Sequence, residues 1–406
     1  MQNRKIIEPK RSIDVIHETD VLVVGSGPGG LSAAIASARC GVKTTLLERF
    51  GCFGGNITVV GVEGFAWYRH EKTVEAGGIG REFEELAKEM GAAVPESQSL
   101  SYELDSEGFK LVADKLVMDS GIHPMLHRSF SMPIMEGNTI IGVIVESKAG
   151  REAILSKVVI DATGDADVAF RAGAQLNTMP VEELMATSVM FHLAGVDKKA
   201  FLSEIQNNPQ SYKDWSDSEW EVETDGKEDD LFSPFIKKPF QQAINDGLLP
   251  SDLKTIGGTW GAVHDTGELT YMNIIQLSNI DGTNPDDLTR GEIEGRKQAM
   301  LAIEALKKYY PGCEKARLRN FGMSIGIRDT RKLDAVYNMT ELDVRKQGKF
   351  EDTIGIYPEF IDGYGLLILP TTGRYMELPY SAMLPKNING LLVTGRATGG
   401  DKISHA

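Results

Sequence analysis

The chain of 406 residues carries 43 Lys and Arg against 58 Asp and Glu, a formal charge of -15, and 41% of it is hydrophobic. That length suits two domains with ample core material, and the acidic balance excludes nucleic acid or an anionic membrane surface as a natural partner. No run of about 18 apolar residues predicts a transmembrane segment, and three cysteines (Cys40, Cys52, Cys313) without a C-x-x-C pair exclude a disulfide framework, a zinc ribbon or a dithiol centre.

The first twenty residues scatter their charges and lack the apolar core of a signal peptide, so a cytoplasmic protein is expected. The first predicted strand is the apolar run Val21 to Val24, which reads as a parallel strand covered on both faces. Gly25, Gly27 and Gly30 follow in G-x-G-x-x-G spacing. The first allows a sharp turn, the second a close approach to a pyrophosphate, and the third close packing of helix on strand. A helix is predicted over Leu31 to Arg39, stopped at Gly41, then a strand over Val42 to Leu47 with Glu48 at its tip. An acid there can accept both hydroxyls of a ribose, and the whole unit reads as a binder of an adenine dinucleotide.

Two more helices are predicted, over 80–90 and 108–120, after which the pattern turns to short strands. "GNTIIGVIVESKAGREAILSKVV" has turn residues between β-rich runs and reads as a three-stranded antiparallel meander. Its last strand runs into Ala162, Thr163 and Gly164, which places a tight turn beside the first glycine loop. The stretch 207–234 is acidic and loop-like.

His264, between Trp260 and Tyr271, lies in a β-rich piece. A histidine side chain ordinarily titrates near neutrality and suits proton transfer, although a hairpin edge is an ordinary place for one. Arg328 and Arg331 flank Asp329; their guanidinium forks suit a carboxylate or another anion, or they brace two domains. Arg374 and Tyr375 add a second arginine and a phenol. The last predicted strand, Leu391 to Thr394, ends in Gly395-Arg396-x-x-Gly400-Asp401 counted through a second glycine at 399, a loop fit to approach a diphosphate. No metal-ligand spacing and no G-x-S-x-G emerge.

Together with the glycine unit, "VVIDATGDADVAFRAGA", "MSIGIRDTRKLDAVYNMTELDV" and "YMELPYSAMLPKNINGLLVTGRATGGDKISHA" resemble the FAD-dependent oxidoreductases of the two-dinucleotide-binding-domain type, distantly related to fumarate reductase flavoproteins. The resemblance implies an α/β fold with a discontinuous Rossmann-like FAD-binding domain from 1–175 and 315–406, carrying the β-meander. A mixed α/β substrate cap would fill 176–314.

For the cofactor, the resemblance implies Gly25, Ser26, Gly27, Gly29 and Gly30 at the pyrophosphate, and Glu48 with Arg49 at the adenosine ribose. Gly54, Gly55 and Asn56 would lead toward the flavin and Phe130 would meet adenine. Ala162, Thr163 and Gly164 would close over the adenosine half, and Gly395, Arg396, Gly400 and Asp401 would reach the ribityl chain and isoalloxazine. For the chemistry it implies hydride transfer between flavin N5 and a small, anionic organic substrate, with dehydrogenation or oxidation favoured over ene reduction. His264, Arg328, Arg331, Arg374 and Tyr375 are then the candidates on the substrate side.

Two alternatives stay open: a flavin monooxygenase using NAD(P)H, and an FAD-binding subunit of a larger electron-transfer complex. A single G-x-G-x-x-G argues against stable NAD(P)H binding. Family members continue past the position of Ala406 with a helix aimed at the flavin, so a chain ending there is expected to retain FAD weakly. Dimers being the commonest assembly, a homo-oligomer is expected.

Overall fold

In the computed structural model, residues 5–64, 77–95, 102–208, 221–223, 235–253, 255–358, 361–363, 366–368 and 375–405 are described. In chain order the first half runs β1 (Val15–Val24), α1 (Pro28–Arg39), β2 (Thr44–Leu47) and one π-helical turn at Asn56–Val60. Then come α2 (Ile79–Glu89), the hairpin strands β3 (Ala93–Pro95) and β4 (Tyr102–Leu104), α3 (Gly108–Asp119) and β5 (His123–Met125). The meander β6 (Ser129–Glu136), β7 (Thr139–Ser147), β8 (Gly150–Asp161) and the short helix α4 (Asp167–Ala172) complete it.

Six of these strands build a sheet in the order β5-β2-β1-β8-β7-β6, made seven-stranded by Leu391–Val393 paired to β8, while β3 and β4 pair with each other. The apolar run of β1 is central, parallel to β2 on one edge and to β8 on the other. Strand β8 is long enough, at 12 residues, to divide its second edge between two neighbours. Its first half pairs antiparallel with β7, from Gly150 to Leu155, and its end pairs parallel with Leu391–Val393, from Val159 to Asp161. So the late strand lies beside the tip of β8, where Ala162 follows.

One face of the sheet is covered by α1, α2 and α3, through Leu31, Ile35, Phe83, Phe109, Val112 and Leu116. The other is filled by Val143, Val145, Ile154 and Val393 against Val168 and Ala169 of α4. A fully buried Leu, Ile or Phe contributes about 1.5–3 kcal/mol, so both clusters hold the sheet firmly.

After α4, β9 (Leu176–Asn177) pairs with Lys332–Leu333. The strand β10 (Phe191–Ala194) is the middle of a separate three-stranded antiparallel sheet, between Leu269–Met272 and Arg317–Phe321. That sheet therefore draws on residues from both sides of position 315. It shares a large apolar core with Phe201, Phe240, Trp260 and the 25-residue helix Pro285–Tyr309. The helix is well punctuated: Asn284 caps it by accepting from the Asp286 N–H, Pro285 opens it, Asp286 and Asp287 face its positive end, and Lys307 and Lys308 its negative end. Of the acidic stretch 207–234, Glu221–Glu223 pairs parallel with Leu366–Ile368. No helix among the described residues is long and apolar enough to cross a membrane.

Candidate functional site

The glycine loop after β1 is packed so closely that its residue types are explained by contact alone. Gly25 has φ +101°, and a Cβ there would lie 2.3 Å from the Ala162 carbonyl oxygen. A Cβ on Gly30 would lie 2.0 Å from the Gly25 carbonyl oxygen. Gly27 differs: a Cβ on it would meet nothing within 4 Å, although it stands at the head of α1. That helix has no side-chain cap and no acid in its first turn, so its N–H groups and positive dipole end are left for an anion.

Two further loops converge on the same place. A Cβ on Gly55 would lie 2.5 Å from Gly27 Cα, and the Gly54 N–H donates to the Ser26 carbonyl at 2.9 Å. Gly29 faces the late loop, where its Cβ would approach Gly395 N and Thr394 Oγ1 at 3.2 Å. An uncapped helix end framed by three glycine-rich loops fits the pyrophosphate of a dinucleotide.

Glu48 is buried, and its carboxylate accepts three hydrogen bonds: from Ser26 N–H at 3.0 Å, Ser26 Oγ–H at 2.6 Å and Phe50 N–H at 3.0 Å. A carboxylate offers about four acceptor sites, so the three donors orient it and leave capacity for a ribose hydroxyl. Arg49 is exposed, its guanidinium 4.8 Å from the Phe50 ring centre. Phe130, on β6, is half-buried against the core of the sheet's second face, and Asn56 opens the π-turn, its carbonyl accepting from Val62 N–H at 2.9 Å.

The turn after β8 is held by buried acid and by arginines from far along the chain. Asp161 accepts from Thr163 N–H, Thr163 Oγ–H and Ala169 N–H, and burial raises its pKa. Asp165 accepts from Thr330 Oγ–H and from Arg396, both at 2.8 Å, while the Arg396 guanidinium fills the space a Cβ on Gly164 would need. Arg331 donates to Asp167 at 3.2 Å and lies 4.4 Å from the centre of the Phe170 ring. Neither Asp165 nor Asp167 was singled out from the sequence; the repeated acid in "ATGDAD" was the available signal.

The substrate-side candidates are spread more widely. Arg328 is half-buried beside Asp329, which is itself paired with Lys332. His264 is half-buried in the turn of a hairpin, where its N–H donates to the Glu268 carbonyl. Tyr375 opens the strand Tyr375–Pro379, with the Lys349 ammonium 3.4 Å from its ring centre. Arg374 lies outside the described residues. Asp401 is engaged by the backbone, accepting from Glu341 N–H and Ser404 N–H, both at 2.8 Å. Beside it, a Cβ on Gly400 would collide with the ring of His405, which burial drives down to about 4. Among the described residues no group of three His, Cys, Asp or Glu is arranged to hold a metal.

Comparison with known proteins agrees with this geometry. Residues 20–406 match the family model described as FAD dependent oxidoreductase. Thiamine thiazole synthase of Metallosphaera sedula is 33% identical over 160 residues, 37% of this chain and 55% of that protein. The same enzyme of Saccharolobus solfataricus is 33% identical over 162 residues, 37% of this chain and 57% of its own length. The chain thus spans little more than half the length of the curated relatives it matches. Among solved structures, a geranylgeranyl bacteriochlorophyll reductase-like protein from Thermoplasma acidophilum aligns with a TM-score of 0.43 at 15% identity, over 88% of this chain and 74% of that one. THI4 of Thermovibrio ammonificans aligns with a TM-score of 0.30 at 24% identity, over 39% and 65%. With the family model matched from the first strand of the glycine unit onward, the cofactor is FAD, and the chain belongs to the FAD-dependent oxidoreductase family of enzymes.

Proposed function

We propose that this enzyme transfers a hydride between a small organic substrate and FAD, working as a dehydrogenase or oxidase rather than an ene reductase. The observation that supports this reading is where the second body docks. Met323 N–H donates to the Val59 carbonyl at 2.7 Å, and Gly322 lies so close to Val60 that a Cβ would sit 2.1 Å from its carbonyl oxygen. The end of the outer strand Arg317–Phe321 of the second sheet therefore packs on the turn that follows the glycine cradle, and in this reading the substrate lies along that seam.

In this reading 1–175 and 315–406 carry FAD, and the residues between form most of the cap. When bound, FAD supplies the two-electron acceptor at N5. The chain's own part is to hold and orient. Gly25 to Gly30, Gly54 and Gly55 seat the pyrophosphate, Glu48 and Arg49 take the adenosine ribose, and Arg396 steadies the closing turn through Asp165. Arg328 is the candidate for an anionic group of the substrate, with Arg374 and Tyr375 a separate candidate pair, while Arg331 braces the turn that carries Asp167. His264 is a proton carrier at the edge of the cap.

The test is an absorption spectrum with and without added FAD, followed by anaerobic mixing with a panel of hydroxy acids, amines and sugars. Flavin bands bleached by one compound are expected. Bands bleached by NAD(P)H and by nothing in the panel would replace this reading with a monooxygenase. Bands bleached by neither, in a protein that co-purifies with a stable partner, would replace it with an electron-transfer subunit.

A further inference from the structure

Between the π-turn, the β4–α3 junction, β10 and the hairpin that carries His264 lies a polar cluster that the reading above does not use. Glu63 is 2% exposed, and its carboxyl accepts from Ser106 N–H at 2.9 Å. His192 of β10 is 3% exposed, with Nε2 3.6 Å from Glu63 Oε1, a few tenths of an ångström beyond hydrogen-bond reach. Its other ring nitrogen, Nδ1, is buried with no hydrogen-bond partner among the described residues. Glycines make the room. Gly61 turns at φ +85° with its Cβ position 3.6 Å from His192 Nε2, and Cβ atoms on Gly64 and Gly261 would run into the Tyr271 ring and the Glu103 carboxylate.

The pair sits close to the cradle. Val62, next to Glu63, donates to Asn56, and Asn56 follows Gly55, which packs on Gly27. A buried charge is costly unless fully paired, so the state burial favours is a protonated carboxyl beside a neutral imidazole. Burial accordingly pushes Glu63 up to about 7 and His192 down to about 4. The surrounding groups act in both directions. Asp105 at the head of α3 raises both residues and Glu107 raises His192; Arg319 on the outer strand and His264 on the hairpin lower His192. Glu103 and Tyr271 complete the ring of titratable side chains.

We propose that Glu63 and His192 form a buried proton store that takes up the proton released when substrate is oxidised. This rests on the redox reading above. In that step the substrate C–H bond breaks and its hydrogen leaves with both electrons to FAD. The substrate O–H or N–H bond releases a proton and a C=O or C=N bond forms; Glu63, divided near neutrality between carboxylic acid and carboxylate, takes that proton on its carboxylate form, with the neutral His192 ring beside it. Neither side chain touches the substrate: Glu63 holds the proton and the uncharged His192 ring lies beside it.

Two measurements on the FAD-loaded protein test the store without any substrate. The first is the midpoint potential of the bound cofactor across neutral pH. Uptake of an extra proton by the pair on reduction makes the line steeper by about 30 mV per pH unit above neutrality, and Glu63→Gln removes that extra slope. Equal slopes in the two proteins would overturn the proposal. The second needs no variant: in histidine-labelled wild-type protein, the ring signals of His192, assigned through its backbone correlations, should shift as a neighbour titrates near neutrality while the ring itself stays uncharged. A His192 signal that does not move across neutrality overturns the store even where Glu63→Gln fails to fold. Because neither readout uses a substrate, a protein that oxidises nothing in the panel can still pass both, and the two readings fail separately.

Discussion

The cradle and the seam make opposite use of packing. In the cradle the working surface is backbone. Gly25, Gly30 and Gly55 are glycines because another loop occupies the place of their side chains, and Gly27 is a glycine although nothing does. In the seam the glycines at 61, 64 and 261 make room for side chains, so that buried Glu63, Glu103 and His192 meet beside half-buried Tyr271. The lesson is that one residue type marks two kinds of site. A glycine facing open space at a helix head points to a ligand, whereas a glycine facing a buried carboxyl or imidazole points to the group it admits.

The largest effect that can break this comparison is at Gly30. In Gly30→Ala the new methyl meets a backbone carbonyl that cannot move aside, and a loss of about 3 kcal/mol or more is expected, read as a large fall in melting temperature together with loss of FAD. Gly27→Ala separates ligand from fold. It displaces no atom of the chain and costs only the N-cap preference of Gly over Ala, so stability should fall by no more than about 1 kcal/mol while FAD affinity falls about tenfold, about 1.4 kcal/mol, in a cofactor titration. Equal damage from the two substitutions would erase the distinction drawn between these glycines.

The seam should show itself in the pH dependence of stability. Glu63 is raised from 4.5 to about 7, so the folded state binds its proton more tightly, and the stability this contributes is lost as pH rises through about 7. His192 is lowered from 6.5 to about 4, so its contribution has the opposite sign and is lost as pH falls below 6.5 toward about 4. Melting temperatures over a pH series should show Glu63→Gln removing a fall in stability as pH rises from about 4.5 to 7, and His192→Asn removing a fall as pH drops from about 6.5 to 4, so the two variants change the slope in opposite directions over the same weakly acid range. Curves parallel to wild type in both variants would mean the pair does not titrate as its burial implies.

The smallest effect serves as a control outside both regions. Arg39 and Glu82 join α1 to α2 through two hydrogen bonds of 2.8 and 2.7 Å, yet both side chains are more than two-fifths exposed. Arg39→Ala should cost less than about 1 kcal/mol, diminish further with salt, and leave FAD affinity unchanged.

The amino-acid sequence by itself determined the β1–loop–α1–β2 unit, the meander and the late strand at 391–393, because each rests on local constraints: an apolar run, a glycine demanded by a turn, an alternation of two. The strand expected from Val42 begins at Thr44, and the helix expected from Leu31 begins at Pro28, shifts of the size that caps and fraying produce. Only the tertiary structure decided the rest. It set β7 and the strand at 391–393 along one edge of β8, opposite β1, and put Arg317–Phe321 into one sheet with β10. It turned Asp401 toward the N–H groups of Glu341 and Ser404, and joined Arg396 to Asp165 across 231 positions. It also buried Glu63 against His192. Such pairings leave no periodic trace, because a carboxyl or a guanidinium finds its partner through packing in space, while a glycine turn is imposed by the chain on itself.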